Sequence, residues 1–425
     1  MKTELYRYRI TPGIIKTNTK TTLKISPLEP QFAFEEDAKY RIEVWGLTRR
    51  TEGDFMLVNN IFTVNGKNGE LFFTYSFEVE EEYYVRVFNG SGQKQFLQLS
   101  VYAVKEDLYA LRPLKGDFHV HSTRSDGKEC PAVVAANYRE AGFDFMAVTD
   151  HRRYFPSVEA QEAYKDVPLG MLLLNGEEVH SPDNYVHVIH FGGDSGVNEI
   201  YEKDEDKYYK DVQAIIDSQE LPYFDKFTYA ANMWVVQKIR EANGLAVFCH
   251  PHWIPDTYDV PDSLSRAFLE NGVFDAFELI GGQTSHENNM QVAFYNQLRT
   301  EGVKIPITGA SDSHGTINSG LFDKMFTIVF AKDNSRDSII EAVKDCLSVA
   351  VEVYDDSVNY SVHGCYRLVS FARFLIEHYF ALTARLCREE GILMRSHLLG
   401  DEEATARLSQ LKSRTDDFYK TYAGK

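Results

Sequence analysis

Histidines are concentrated in one part of the sequence, where several stand close to acidic residues. The first 118 residues contain none of the 13 histidines, and ten of them lie between His119 and His314. Two form the run His119-Val-His121 at the end of a predicted strand, and Asp126 follows five residues later. Because alternate residues of a strand point to the same face, both imidazoles can meet one metal ion.

The same placement of ligand-type side chains recurs at five further predicted strand ends. These positions are Thr149-Asp150-His151, Glu177-Glu178, His187 and His190, His250-Pro251-His252, and Asp312-Ser313-His314. Sets that mix imidazoles and carboxylates suit zinc, manganese or iron, whereas the scarcity of thiolates argues against an iron–sulfur cluster or a four-cysteine structural zinc. The sequence therefore predicts a site for divalent metal ions.

Alternating strands and helices are predicted to position these residues. From Arg112-Pro113 onward, short apolar strands alternate with helical stretches such as PAVVAANYREAGF and AANMWVVQKIREANG. Such alternation predicts parallel strands covered by helices, and a (β/α) barrel presents its chemistry at the carboxyl ends of its strands. We therefore expect the histidines and carboxylates to converge at one barrel mouth. A segment between about 193 and 228 interrupts the alternation and is interpreted as either a lid or a solvated surface excursion.

Two flanking segments have a different character. Residues 1–112 contain alternating runs such as YRIEVWG and LFFTYSFEV with NGKNG turn signals, which predict an N-terminal antiparallel β-sandwich domain. That domain could bind a partner, form an oligomer contact or serve only as packing. Residues 351–425, with the amphipathic run VSFARFLIEHYFALTARLCREEGILM, predict a C-terminal helical extension. Residues 113–350 are left as the predicted barrel.

Composition limits the classes of partner. The formal net charge of -18 argues against a large nucleic-acid surface, so a phosphate-bearing substrate would need a local positive centre such as bound metal. No apolar run reaches the roughly 18 residues of a membrane span, and no secretory signal is recognisable. The five cysteines are odd in number and form no CxxC pair. We therefore expect a cytoplasmic protein, with no membrane partner and with homo-oligomer formation left open.

The series GDFHVHSTRSDG, AVTDH, NGEEV, CHPHW and GASDSHG resembles the polymerase and histidinol phosphatase (PHP) superfamily over roughly residues 114–345. The resemblance implies an α/β fold with a distorted (β/α)7 barrel and two or three divalent ions of zinc, manganese or iron. It implies the metal ligands His119, His121, Asp126, His151, Glu178, His187, His250, Asp312 and His314. His187 is preferred to His190, and Glu178 to Glu177. The N-terminal β-rich region and the TDHRR run are most similar to the carbaryl-esterase-like branch.

The expected function is a metal-dependent hydrolase that uses a metal-bridging hydroxide, most simply a phosphoesterase acting on a small phosphorylated metabolite or nucleotide. A carboxylic or carbamic ester hydrolase is the alternative within this fold, and a non-catalytic metal-containing binding protein is the alternative of another class. Asp312 is expected to orient water and His252 to protonate the leaving group, although His252 could equally be packed beside Trp253. The expected substrate contacts are Arg124, Arg152, Arg153 and His286, whereas His180 is interpreted as a solvated loop residue.

Overall fold

The computed structural model describes residues 3–48, 51–53, 55–90, 95–317, 319–354 and 359–425. The strands are β1 Tyr8–Thr11, β2 Ile14–Lys16, β3 Lys20–Pro27, β4 Lys39–Gly46, β5 Thr51–Glu52, β6 Phe55–Met56, β7 Asn60–Asn65, β8 Leu71–Ser76, β9 Glu82–Phe88, β10 Gln95–Val104, β11 Arg112–Asp117, β12 Phe145–Ala147, β13 Leu172–Leu174, β14 Gly176–Val179, β15 Val188–Phe191, β16 Leu245–Phe248, β17 Ala276–Ile280, β18 Ile307–Gly309, β19 Met325–Ala331, β20 Ser348–Val353 and β21 Tyr360–His363.

The α-helices are α1 Glu106–Tyr109, α2 Pro131–Glu140, α3 Phe155–Glu162, α4 Asn198–Lys203, α5 Glu205–Ser218, α6 Lys226–Glu241, α7 Asp262–Glu270, α8 Ser285–Thr300, α9 Arg336–Lys344, α10 Tyr366–Phe374, α11 Ala381–Leu398, α12 Glu402–Leu411 and α13 Arg414–Ala423. A π-helical turn, Leu375–Phe380, joins α10 to α11. Among the described residues, no helix combines the length and the apolar character that a membrane crossing requires.

The chain divides into two compact units. The first comprises Met1–Leu111, Val369–Arg385 and Ser413–Lys425, and the second comprises Arg112–Leu368 and Leu386–Lys412. The first of the predicted boundaries, at residue 112, lies beside this division. The predicted C-terminal extension, 351–425, is instead shared between the two units.

The first unit contains two sheets that share one hydrophobic core. One sheet has the order β1-β3-β8 and the other has the order β2-β10-β9-β4-β7. Ile25 and Leu71 from the smaller sheet pack in the same buried cluster as Val44, Val85 and Leu99 from the larger one. Pairing is antiparallel except between β2 and β10, which run parallel. The NGKNG run connects β7 and β8 across the two sheets and is therefore not a hairpin turn between paired strands.

The second unit is a mixed α/β structure, and its strands also form two sheets. Their orders are β13-β12-β11-β19-β20-β21 and β14-β15-β16-β17-β18. The pairs β11–β12, β12–β13, β16–β17 and β17–β18 are parallel as predicted, but β15 runs antiparallel to both β14 and β16. Isolated parallel bridges, Val120↔Ser313 and His151↔Glu178, join the two sheets just beyond the strand ends. The precise (β/α)7 barrel stays a prediction.

The segment between 193 and 228 is folded into the second unit. It contains α4, α5 and the start of α6, and Tyr201, Tyr208 and Val212 are buried in the same core as α6. Tyr208 packs edge-on against Trp234 of α6 with ring centroids 5.0 Å apart. The interpretation of this segment as a solvated excursion is therefore wrong, because its apolar side chains are needed to cover the sheet.

A buried ion pair attaches α11 to α2 within the second unit. The guanidinium of Arg139 is fully buried, and its Nε lies 2.7 Å from the Glu390 carboxylate. The helices approach closely because residue 391 is a glycine: a Cβ there would lie 2.4 Å from the backbone nitrogen of Glu140 and 2.6 Å from the Ala136 carbonyl. Arg139 also donates to the Phe143 carbonyl at 3.0 Å. The Arg139 guanidinium and the Glu390 carboxylate are thus stabilised by contacts within the protein rather than by solvent.

Removing one member of this pair is expected to destabilise the second unit. Glu390→Ala removes the nearer of two carboxylates beside the fully buried Arg139, the other being Asp144 at 3.9 Å, and breaking a buried ion pair typically costs about 3–5 kcal/mol. Glu389→Ala is the matched control on the same helix, because its ion-pair partner Arg407 is largely exposed and such pairs contribute about 1 kcal/mol or less. The free energy of unfolding of the full chain, measured with urea, should fall markedly for the first variant only. Equal losses for both variants would contradict the importance of the buried pair.

Candidate metal centre

The carboxylate of Glu178, near the end of β14, lies at the centre of a histidine cluster. The side chain is fully buried, and its Oε1 lies 3.0 Å from His187 Nδ1. The other ring nitrogens within contact distance of this carboxylate belong to His119, His121, His151, His180 and His250. Six imidazoles drawn from separate strands and loops therefore surround one carboxylate.

The predicted pair His119 and His121 does point to one place. Their Nε2 atoms are 3.1 Å apart, and Asp312 Oδ1 lies 2.9 Å from His121 Nε2 and 3.3 Å from His119 Nε2. Metal–ligand bonds of about 2.0–2.2 Å place neighbouring donor atoms about 3 Å apart, which matches this spacing. His119, His121 and Glu178 together offer one compact, fully buried donor set.

A second donor set is open to solvent. Asp126, His151 and His314 join His121 there, with His151 Nε2 at 3.4 Å and His314 Nε2 at 3.3 Å from the Asp126 carboxylate. The side chains of Asp126, His314 and His151 are 55%, 36% and 30% exposed, respectively. His121 contributes Nε2 to the buried set and Nδ1 to the open set. The cluster therefore extends from a fully buried interior to a solvent-facing edge.

The backbone is held in an unusual conformation at two of these positions. His250 and Asp312 have φ angles of 30° and 48°, in the left-handed region that non-glycine residues seldom adopt. Backbone strain of this kind persists where the surroundings over-determine a conformation, and it is common at functional sites. Here it accompanies the presentation of an imidazole and a carboxylate to the same centre.

Further carboxylates orient the histidines from behind. Glu278, in the middle of β17, is fully buried with Oε2 3.0 Å from His119 Nδ1, and Asp259 Oδ2 lies 3.4 Å from His250 Nδ1. Carboxylates in this position fix the tautomer and direction of a metal-binding imidazole and increase its basicity. Neither Glu278 nor Asp259 was singled out from sequence. An ionisable residue inside the apolar run FDAFELI was the available signal for Glu278.

The electrostatics favour binding of a cation. Burial alone would raise the pKa of Glu178, but the imidazoles of His119 and His151 beside the carboxylate outweigh it and hold that pKa well below its usual range. Burial likewise disfavours charge on His119, yet the nearby Asp312 and Glu278 carboxylates raise the pKa of His119 well above its usual value. The Glu178 carboxylate thus stays ionised and contributes a negative potential that attracts positive charge.

The donor atoms fit a metal because several buried ones lack hydrogen-bond partners. Among the described residues, Glu178 Oε2, His187 Nδ1 and Asp312 Oδ1 are buried close to other polar atoms of the cluster, but none of the three makes a hydrogen bond of good geometry. Leaving such atoms unsatisfied typically costs about 1–3 kcal/mol each. These three atoms belong to predicted metal ligands and all face the cluster. Coordination to divalent ions would satisfy them together.

The structure separates the two histidines that the sequence left as alternatives. Since β15 is antiparallel to β14 and β16, the residue before it, His187, lies at the edge where the parallel strands end. His190 is buried inside β15, with Nδ1 3.0 Å from Glu177 Oε1 and away from Glu178. The structure therefore places His187 and Glu178 in the cluster and pairs His190 with Glu177 outside it.

His180, interpreted as a solvated loop residue, instead lies within the cluster. Its ring stacks on that of His187 with centroids 3.8 Å apart, and its Nε2 lies 3.1 Å from His151 Nδ1. Burial lowers the pKa of His180 to about 4, so it is a neutral ring available for coordination at ordinary pH. It lies on the loop after β14, where strand patterns give no indication of side-chain direction.

Three residues predicted to act on or contact the substrate do not point towards the cluster. His252 is buried between Tyr258 and Phe294, with Nε2 3.2 Å from the Asp262 carboxylate. Arg124 forms a two-point ion pair with Glu159, through Nε at 2.8 Å and Nη2 at 2.7 Å. His286 is an exposed residue in the first turn of α8. By contrast, Arg152 and Arg153 line a cavity beside His151.

Comparisons with known proteins found partial similarities. No family model matches the chain. A stretch of 64 residues is 38% identical to the DNA polymerase/3'-5' exonuclease PolX of Bacillus subtilis, covering 15% of this chain and 10% of that protein. A two-domain protein from Bacteroides vulgatus containing a predicted PHP-like metal-dependent phosphoesterase aligns with a TM-score of 0.41 and 20% identity, over 60% of this chain and 76% of that chain.

An amidohydrolase from Chromobacterium violaceum, solved with bound sulfate and no metal, aligns with a TM-score of 0.32 and 18% identity, over 47% of this chain and 87% of that chain. All these similarities are either short or structurally loose. What the cluster does chemically is therefore inferred from its own geometry.

Glu178→Gln is expected to lower metal affinity by more than about 100-fold, since even partners that only orient a ligand typically contribute 10–100-fold. The substitution removes the charge that faces six imidazoles while preserving the shape of the side chain. Metal content after dialysis, measured by mass spectrometry, checks this result. Asp262→Asn is the control, because Asp262 is exposed and pairs with His252 outside the cluster. Equal metal content in the two variants would contradict the central position of Glu178.

Glu278→Gln is expected to weaken metal binding by about 10–100-fold, as for other carboxylates that orient a metal-binding imidazole. Glu278 contacts His119 from the side opposite the cluster, so the variant keeps every predicted ligand in place. Competitive titration with a chelator measures the change. Unaltered affinity would show that Glu278 serves only to fill the core.

Proposed function

We propose that this protein is a metal-dependent hydrolase, and that it acts as a phosphoesterase on a small phosphorylated substrate. The observation that supports the proposal most strongly is the convergence of histidines and carboxylates on Glu178, with a buried donor set and an open one sharing His121. A metal site with an exposed face can accept substrate, whereas a purely structural site is closed by its ligands.

The proposed ligands divide between the two sides of the cluster. His119, His121, Glu178, Asp312, His187 and His250 would hold ions at the buried side, and Asp126, His151 and His314 would hold an ion at the open side. His180 is added as a candidate on the strength of its position. Two or three zinc, manganese or iron ions are expected, and when bound they lower the pKa of water and stabilise developing negative charge on an ester.

The residues of the chain would supply positioning around those ions. Asp312 Oδ1 faces His119 and His121, where it can bind metal and accept a hydrogen bond from the attacking water. The open group of Asp126, His151 and His314 marks the side from which substrate enters. His252 is not proposed as the acid, because its Nε2 is directed to Asp262 and its ring is packed between aromatic side chains.

Two arginines favour an anionic substrate. Arg152 and Arg153 line a cavity of about 560 Å³ together with His151, and no ion pair involves either arginine within the described ranges. Arg152 is held at a φ of 57° with its N–H donating to the Glu178 carbonyl at 2.9 Å, which fixes its distance from the cluster. Unpaired guanidiniums suit recognition of an anionic group on the substrate, whereas a neutral carboxylic ester gives them no role.

The alternatives make different predictions about substrate. A carboxylic or carbamic ester hydrolase, as in the carbaryl-esterase-like branch, would use the same ligands but would not require the two arginines. A non-catalytic metal-binding protein would hold the ions without turnover. A small-molecule partner is common to the first two functions, whereas in the third the N-terminal β unit would supply the binding function.

Metal-dependent turnover tests the proposal directly. Protein stripped of metal and then reloaded with manganese or zinc would be assayed with p-nitrophenyl phosphate, bis-p-nitrophenyl phosphate and p-nitrophenyl acetate. We expect two or three ions per chain and turnover of the phosphomonoester that disappears in the Glu178→Gln variant. Faster turnover of the acetate would favour the esterase function. Reloaded protein that binds metal but hydrolyses none of the three would contradict hydrolase activity.

A further inference from the structure

The cavity beside His151 carries opposite charges on facing elements. Arg152 and Arg153 follow the strand end at His151, whereas Glu199 and Glu202 lie on α4. Phe155, at the start of α3, adds an exposed aromatic side chain to the lining. The cavity has a volume of about 560 Å³, which falls within the usual range of about 300–1,000 Å³ for small-molecule sites.

These charges do not neutralise one another. Over the part of the chain that the structure describes, no ion pair joins either arginine to Glu199 or Glu202, and Glu199 contacts only Lys203 of its own helix, at 3.1 Å. Opposite charges that line one cavity without pairing leave space between them for a ligand. Such a ligand should carry both a negative and a positive group.

Both sides of the cavity are anchored independently. On the arginine side, the Arg152 N–H donates to the Glu178 carbonyl. On the α4 side, the buried Glu177 carboxylate accepts hydrogen bonds from the backbone N–H of Asn198 at 3.3 Å and from its side-chain amide at 2.5 Å. The Tyr201 hydroxyl donates to the His180 carbonyl at 2.9 Å. The backbone segments that carry the two charge sets are therefore held in place before any ligand binds, which reduces the entropy lost on binding.

We propose that this cavity binds the α-ammonium and α-carboxylate groups of an amino-acid phosphomonoester whose phosphoryl group lies on the metal cluster. The inference rests on the proposed function and names its substrate class. Arg152 and Arg153 bind the carboxylate through paired N–H donors, and Glu202, with Glu199, binds the ammonium. The metal ions bind the phosphoryl group, so the arginines remain available for the second anion.

Four phosphomonoesters of similar length test each charge separately. O-phospho-L-serine carries both groups, 3-phosphoglycerate carries the carboxylate, O-phosphoethanolamine carries the ammonium, and glycerol 3-phosphate carries neither. With the metal-loaded full chain, kcat/KM for O-phospho-L-serine should exceed kcat/KM for 3-phosphoglycerate and for O-phosphoethanolamine, which each lack one of the two groups. The expected difference is about tenfold or more, as for one charge-assisted hydrogen bond. Glycerol 3-phosphate should be the poorest substrate.

Two variants assign the preference to the cavity. Glu202→Gln removes the proposed ammonium contact, so kcat/KM for O-phospho-L-serine should approach that for 3-phosphoglycerate, which has no ammonium. Arg153→Gln removes a proposed carboxylate contact, so kcat/KM for O-phospho-L-serine should approach that for O-phosphoethanolamine, which has no carboxylate. Glu162→Gln is the matched control, because Glu162 is an exposed residue of α3 that pairs with Lys165. Its ratios of kcat/KM between these esters should equal those of the unmodified protein. Metal content of every variant shows that the cluster is intact.

The outcomes separate this inference from the function on which it rests. Metal-dependent hydrolysis of all four esters at equal efficiency, or a preference for glycerol 3-phosphate, would overturn the amino-acid substrate while supporting a phosphoesterase. A preference for O-phospho-L-serine that survives both cavity variants would also overturn it. Failure to hydrolyse these four esters and p-nitrophenyl phosphate would instead contradict the proposed function itself.

Discussion

The burial of the Glu178 carboxylate is the constraint on which the rest of the site depends. An ionised carboxylate removed from water is stable only if positive charge or strong hydrogen-bond donors surround it. Six imidazoles meet that requirement, and they come from strand ends and loops far apart in sequence. Holding them there requires the bridge His151↔Glu178 and the strained backbone of His250 and Asp312. The second unit is thus organised around a negative centre that divalent cations would neutralise.

Adjacent carboxylates on β14 show how one strand serves two purposes. Glu178 points into the cluster, and Glu177, on the opposite face of the strand, contacts His190 and accepts hydrogen bonds from the beginning of α4. The alternation of side chains along a strand therefore couples the cluster to α4, the helix that lines the cavity beside His151. The inserted segment is positioned by buried hydrogen bonds, so the cavity has a defined shape and charge arrangement.

The pattern of ion pairing explains which basic residues are available to a substrate. Arg124 is occupied by Glu159 and Arg139 by Glu390, although all the arginines near the motifs look equivalent in sequence. Arg152 and Arg153 are left without such partners among the described residues and line the cavity next to the open ligands. Local positive charge in an acidic protein is thus placed where an anionic group would meet the cluster.

The sequence by itself indicated most of the candidate metal ligands and predicted that they would converge, because strand alternation places His119 and His121 on one face and strand ends meet at one edge. It also indicated an N-terminal β-rich region and a boundary near residue 112. Only the tertiary structure placed His187 in the cluster and His190 against Glu177, brought His180 and Glu278 to the cluster, directed His252 away and divided the C-terminal helices between two units. Those outcomes depend on the reversed direction of β15 and on contacts between distant segments. Local sequence patterns specify the face of an element, whereas its direction and neighbours are set by packing of the whole chain.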